Sequence, residues 1–130
     1  MAIAGLGTDI IEIARLGSRS IAGDSVNERL AKRVLTPTEY QQFCEHKTPM
    51  RFLAKRFAAK EAAVKALGTG IGNGISWQHI EVTNDELGAP RLTFSGEFAS
   101  RCEARGIVSA VVSISDEQHY AVATVILETL

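Results

Sequence analysis

From Ile3 to Asp9 the chain is short and almost wholly apolar, and Gly5 and Gly7 leave one face of an extended segment bare, which predicts a strand. Ile10 to Leu16 then has the spacing of a helix, a loop follows at Gly23–Ser25, and Asn27 to Leu35 reads as a second helix. Thr36-Pro37-Thr38-Glu39 is a strong helix start. The threonine can cap, proline suits the first helical position, and the glutamate stands where a capping box needs it. That helix should run to about His46. The longest helix is predicted from Met50 to Leu67, a run of good helix formers, with Gly68 as the residue that ends it. After the glycine-rich stretch Gly68 to Gly74 the pattern changes. Strands are predicted at Ile75 to Thr83 and Arg91 to Phe94 around a turn at Asp85–Gly88, and a helix at Glu97 to Arg105. A closing hairpin of Ser109 to Ser115 and Tyr120 to Leu127 should turn at Asp116–His119. Helices crowd the first half and strands the second, with one strand at the start. That order predicts an α+β fold with a mainly antiparallel sheet and helices packed on it. No linker, repeat or low-complexity tract interrupts it, so residues 1–130 are read as a single domain.

Composition narrows the function classes. With 130 residues, 45% of them apolar and 22% charged, the chain is an ordinary globular domain, small for an enzyme that encloses its whole substrate. Small enzymes often complete their sites at a subunit boundary, so an oligomer is expected. The formal net charge of −1 gives no general attraction to nucleic acid or membrane. Most Lys and Arg fall between Arg15 and Lys65, so an acidic partner should meet that half. Cys44 and Cys102 lack metal-site spacing and are read as reduced structural residues. Asp9, Glu12 and Arg15 interrupt the first apolar run, which excludes a signal peptide, and no run is long enough to span a bilayer. The expected compartment is the cytoplasm.

The long helix carries the strongest chemical signal. On a helical wheel Leu53, Phe57, Val64 and Leu67 share an apolar arc, Lys60 falls inside it, Arg56 lies beside it and Glu61 lies at the opposite edge. A lysine there has two readings: its stem packs on the core while its head reaches water, or the stripe faces a cleft that holds an anion. Glu61 and Lys65 are also i, i+4 neighbours and fit a plain surface ion pair. The glycine-rich stretch could admit a phosphate, but it matches no nucleotide-binding fingerprint and follows a helix C-terminus, whose dipole repels anions. Asp9, between a strand and a helix, suits a cation such as Mg²⁺ and equally suits a helix cap. His46, His79 and His119 stand at no triad spacing and are read as surface or structural.

Three stretches together resemble the short bacterial type of 4′-phosphopantetheinyl transferase, the holo-[acyl-carrier-protein] synthase family. They are Gly5-Leu6-Gly7-Thr8-Asp9-Ile10-Ile11-Glu12-Ile13-Ala14-Arg15, the long run from Phe52 to Gly70, and Ile80-Glu81-Val82 through Gly88-Ala89-Pro90 with the closing hairpin to Glu128. The likeness spans nearly the whole chain, and its central motif is long and specific.

The resemblance implies a fold and a reaction. The serine of an acidic apo-acyl carrier protein would attack the β-phosphate of coenzyme A, releasing adenosine 3′,5′-bisphosphate, in support of fatty acid biosynthesis. Asp9 and Glu61 would hold Mg²⁺, and Arg56, Lys60 and Lys65 would address the phosphates of coenzyme A. Gly68, Thr69 and Gly70 would line the nucleotide pocket, with Ser113 and Ser115 approaching the nucleotide. Family members commonly carry a histidine just ahead of that last motif, and here the position is Val111. Glu61 is the candidate for activating the serine and Lys65 for stabilising the leaving phosphate. Arg15, Arg19, Arg29, Lys32 and Arg33 would receive the carrier protein or form a plain solvated face. A homotrimer with sites between subunits is implied. The rival readings are a non-catalytic regulator that binds coenzyme A or a nucleotide, and an adaptor for an acidic protein.

Overall fold

The computed structural model describes residues 1–20 and 23–130, and of residues 18–20 and 23–26 only the backbone. The strands are β1 (Ala2–Glu12), β2 (Gly17–Ser20), β3 (Gly23–Val26), β4 (Ile80–Asn84), β5 (Pro90–Phe94), β6 (Ile107–Asp116) and β7 (Tyr120–Thr129). The helices are α1 (Glu28–Val34), α2 (Pro37–Glu45), α3 (Pro49–Leu67) and α4 (Gly96–Ala104). A three-stranded antiparallel sheet, in the order β1-β7-β6, carries α3 on one face; β2-β3 and β4-β5 are separate antiparallel hairpins. The α+β class is therefore as the element order predicts.

Local chemistry explains most boundaries. Thr36 and Glu39 form the full capping box at the start of α2, with Pro37 at its first position. Asn27 caps α1 by accepting from the Leu30 N–H. Gly68 ends α3 in the left-handed region at φ 85°, where a residue without Cβ is favoured.

Three predicted elements differ. The helix expected over Ile10 to Leu16 is strand as far as Glu12, because Ile10, Ile11 and Glu12 pair with Val122, Ala121 and Tyr120 of β7; only Ile13–Leu16 coil into a 3₁₀ turn. Where a loop was expected at Gly23–Ser25, the backbone of β3 pairs with β2. The strand expected from Ile75 begins at Ile80, after a 3₁₀ turn over Trp77–His79 capped by Ser76.

Helix α3 is the core of the molecule. Leu53, Val64 and Leu67 are buried as the apolar arc predicts, but so are Ala54, Ala58, Ala59, Ala62, Ala63 and Ala66, so the helix is enclosed on more sides than one stripe. The small side chains let it lie close on β1. A Cβ added at Gly5 or Gly7 would collide with the backbone carbonyls of Ala66 and Ala62 respectively, which is why the strand is bare on that face. The opposite face of the sheet is open. Leu6 and Ile10 of β1 and Val111 of β6 are exposed there, with Ile126 between Leu6 and Val111 in the register.

Candidate active site

β1 and α3 run against each other, and this contact brings the N-terminal motif to the central one. Asp9, Ile10, Ile11, Arg15, Leu16, Leu30, Phe57 and Glu61 line one open pocket of about 340 Å³. The two carboxylates that the resemblance assigns to a cation thus face the same space. Lys65, one turn beyond Glu61, donates to Asp9 Oδ1 at 2.9 Å and to the Thr8 carbonyl at 3.1 Å. Its side chain keeps 51% of its surface exposed against 16% for Asp9, so water screens the pair from the lysine side and it is worth about 1 kcal/mol. A phosphate arriving at the pocket can therefore draw Lys65 over at little cost. The sequence reading of Glu61 and Lys65 as an ion pair with each other is replaced: Lys65 bonds Asp9, and Glu61 Oε1 accepts the indole N–H of Trp77 at 3.0 Å.

Among the described residues no three His, Cys, Asp or Glu side chains gather into a ready-made metal cage. Two carboxylates on an open pocket still fit Mg²⁺, which is commonly held by one or two carboxylates with substrate phosphates and water completing its shell. Zn²⁺ is usually held by three or four protein ligands that include His or Cys, and this pocket is lined by neither.

Lys60 requires a correction. It neither reaches water nor faces a cleft: its side chain has no exposed surface. The ammonium donates to Glu39 Oε1 at 2.6 Å, the Val34 carbonyl at 2.6 Å and the Trp77 carbonyl at 3.2 Å. All three ammonium hydrogens are thereby used, and none is left for a phosphate of coenzyme A. Burial pulls the Lys60 ammonium below its ordinary value, and the Glu39 charge opposes that pull. Glu39 in turn accepts from the backbone of Thr36 at 2.9 Å and of Val82 at 2.7 Å, so the pair fastens α1, α2, α3 and β4 together.

Arg56 is 8% exposed and stacks on Phe52, its guanidinium carbon 4.6 Å from the ring centroid. Its Nε lies 3.9 Å from Glu39 Oε2 and has no hydrogen-bond partner among the described residues. Burial lowers its pKa, with Glu39 acting against that. It lines a second pocket, of about 480 Å³, with Gln42, His46, Thr48, Arg51, Phe52, Lys55, Thr83 and Asn84. This pocket is more basic than the first and shares no lining residue with it. The sequence reading set His46 aside as surface or structural and gave Arg51 and Lys55 no role. Arg51 and Lys55 are an i, i+4 pair on the first turns of α3, and the wheel could have exposed them together as one basic edge of the helix.

The remaining candidates lie apart. Gly68, Thr69 and Gly70 follow the end of α3, with Gly70 at φ 67° and the Thr69 hydroxyl donating to the Gly70 carbonyl at 3.1 Å. Ser113 and Ser115 are exposed on the outer face of β6, the face that carries Val111. Of the basic residues assigned to the carrier, Arg15 lines the Asp9 pocket. Arg29, Lys32 and Arg33 line an adjoining surface pocket that shares Leu30 with it. The side chain of Arg19 lies outside the described residues. Cys44 and Cys102 are free thiols.

Fold and pocket together describe a small α+β enzyme whose carboxylates and lysine meet where a strand crosses a helix. The family model for the 4′-phosphopantetheinyl transferase superfamily matches residues 5–125, and the chain belongs to that family. Within it, the chain is 81% identical over 130 residues, all of both chains, to the holo-[acyl-carrier-protein] synthase of Alteromonas mediterranea. It is 61% identical over 129 residues to the synthase of Pseudoalteromonas atlantica, covering 99% of each. The crystal structure of the Neisseria meningitidis synthase superposes with a TM-score of 0.83 at 36% identity, covering 98% of this chain and 100% of that one. The Bacillus anthracis synthase, solved in complex with CoA (3′,5′-ADP), gives 0.76 at 38% identity and 98% of both chains.

Proposed function

We propose that the chain transfers the 4′-phosphopantetheine arm of coenzyme A to a serine of apo-acyl carrier protein. The products are the holo-carrier protein and adenosine 3′,5′-bisphosphate, and the reaction serves fatty acid biosynthesis. The observation that carries this is the meeting of Asp9 and Glu61 on one open pocket, with Lys65 bonded to Asp9, in a chain of this family.

Asp9 and Glu61 are the residues that would hold Mg²⁺, which when bound neutralises charge on phosphate oxygens. The chain's own groups do the rest. Lys65, loosely held on Asp9, supplies positive charge to the leaving phosphate. Glu61, directly or through a water, takes the proton of the attacking serine hydroxyl. Arg56 and its basic pocket receive a further phosphate of coenzyme A, with Arg51 and Lys55 beside Arg56 at its wall. Gly68, Thr69 and Gly70 take the nucleotide side. Lys60 is left out of the site, for the reasons of burial given above.

The carrier docks on Arg15, Arg19, Arg29, Lys32 and Arg33. What supports this is that Leu30 and Arg15 belong to the pocket wall, so an acidic helix seated on α1 brings its serine to the opening. A homotrimer with sites between subunits is the assembly we assign. Two pockets with no common residue, and serines on an open sheet face beside exposed Leu6, Ile10 and Val111, favour a neighbour completing each site. We place the reaction in the cytoplasm, in keeping with two free thiols; no helix among the described residues is long and apolar enough to cross a membrane.

The roles are tested with Glu61→Gln and Lys65→Ala. Each should lower turnover at least about 100-fold, the scale of a lost general base or charge-stabilising group, while the affinity for coenzyme A measured by calorimetry changes far less. Unchanged turnover in either variant contradicts its role. Binding of coenzyme A with no product from the native chain would instead favour the regulator.

A further inference from the structure

We infer that Trp77 is a positioning residue that fixes the carboxylate of Glu61. The inference rests on the reading of Glu61 as a cation-holding carboxylate given above. Glu61 extends from α3 into the Asp9 pocket on a side chain with three rotatable bonds, and its Oε1 accepts the Trp77 indole N–H at 3.0 Å. The indole is itself held from several sides. Its ring lies 6.1 Å from that of Phe57, centroid to centroid, and the Arg33 guanidinium carbon sits 5.4 Å from its centre. Its backbone carbonyl accepts from the buried Lys60 ammonium at 3.2 Å. The next residue, Gln78, donates its side-chain amide to the carbonyls of Leu35 at 2.6 Å and Arg33 at 3.1 Å, sewing the 3₁₀ turn to the end of α1. An N–H on so constrained a ring points one way only, and it points at Glu61.

A structural need would be met by the ring alone, since its contacts with Phe57 and Arg33 are made by the aromatic face. The N–H adds something different: it occupies one carboxylate oxygen and turns the other to the pocket. Among the described residues Glu61 Oε2 has no hydrogen-bond donor. Such outer partners of a ligating group typically account for about 10- to 100-fold in metal affinity or activity. The buried Lys60–Glu39 pair thereby also acquires a purpose near the site, because it anchors the turn that carries the indole.

Trp77 is the only tryptophan of the chain, which supplies a readout independent of turnover. Mg²⁺ is titrated into the full-length protein at fixed coenzyme A while tryptophan emission is followed, in the native chain and in Glu61→Gln. In parallel, the rate of transfer is measured against Mg²⁺ for the native chain and Trp77→Phe, which keeps a ring and removes the N–H. The expected result is a saturable emission change in the native chain that Glu61→Gln abolishes. In Trp77→Phe the half-saturating Mg²⁺ concentration should rise about tenfold, with the affinity for coenzyme A unchanged. An unshifted half-saturation in Trp77→Phe, or an equal emission response in Glu61→Gln, overturns the positioning role while leaving the transferase reading intact. Full transfer by Glu61→Gln at the native Mg²⁺ requirement overturns the reading of Glu61 itself. Should Trp77→Phe fold poorly by circular dichroism, the emission comparison decides alone, because both of its proteins keep Trp77.

Discussion

The most demanding residue in the molecule is Lys60. A lysine with no exposed surface survives as a cation only because Glu39 and two carbonyls surround its ammonium. Removing one member of such a pair leaves the other charge buried and unpaired, which costs about 3–5 kcal/mol. Lys60→Met should therefore lower the unfolding free energy, measured by urea titration, by about that amount; a loss under about 1 kcal/mol would contradict the pairing. The wheel placed Lys60 among apolar neighbours and so flagged it as anomalous, but it could not supply the partner, which lies 21 residues earlier. Glu39 was legible as a capping residue because a capping box is local. Its second duty was not, because chain folding alone brings α2 to α3. A different residue contributes to the acid limb of stability. Arg51, by its hydrogen bond, and then Lys55 hold the Asp116 carboxyl below its ordinary value of 3.8. A depressed carboxyl stabilises the fold above its unfolded value and loses that contribution as pH falls through its lower folded one. Melting temperature against pH should thus fall less steeply below pH 3.8 in Asp116→Asn than in the native chain; identical slopes would show that Asp116 contributes nothing there.

At the scale of elements, the site depends on how closely β1 approaches α3. Asp9 belongs to the strand and Glu61 and Lys65 to the helix, so the spacing of the two elements sets the width of the pocket. Gly7 fixes that spacing, since any Cβ there meets the Ala62 backbone. A backbone carbonyl cannot rotate away as a side chain can. Gly7→Ala should cost about 1–3 kcal/mol, the usual price of overpacking, and should depress transfer more than its loss of stability explains. Wild-type transfer in a folded Gly7→Ala protein would show that the spacing is not limiting. The bare face of β1 was readable from Gly5 and Gly7, and the alanine-rich helix from its propensity. The length of β1 was not: Ile10 and Ile11 suit either a helix or a strand, and β7, more than 100 residues away, decides between them.

At the scale of the whole molecule, the antiparallel α+β arrangement followed from the order of the elements, and of the residues that the motif proposes for the site the fold brings Asp9, Glu61 and Lys65 near one another. The division of the site did not. Arg56 lies five residues from Glu61 in sequence, yet it opens onto a different pocket on another side of α3, and Ser113 and Ser115 open onto the outer face of the sheet. Sequence proximity on a buried helix does not mean a shared cavity, because residues off the i, i+3 and i, i+4 rows point to different neighbours. A single chain thus presents the residues proposed for the site on separate faces, which is the arrangement a neighbouring copy would bring together. The central claim is the transfer itself, and the most direct test is the intact mass of a purified apo-acyl carrier protein after incubation with this chain, coenzyme A and Mg²⁺, with an EDTA control. The account predicts a gain of one phosphopantetheine arm on the carrier, abolished when EDTA removes the metal ion. A carrier of unchanged mass, with coenzyme A still bound to the chain, would contradict it.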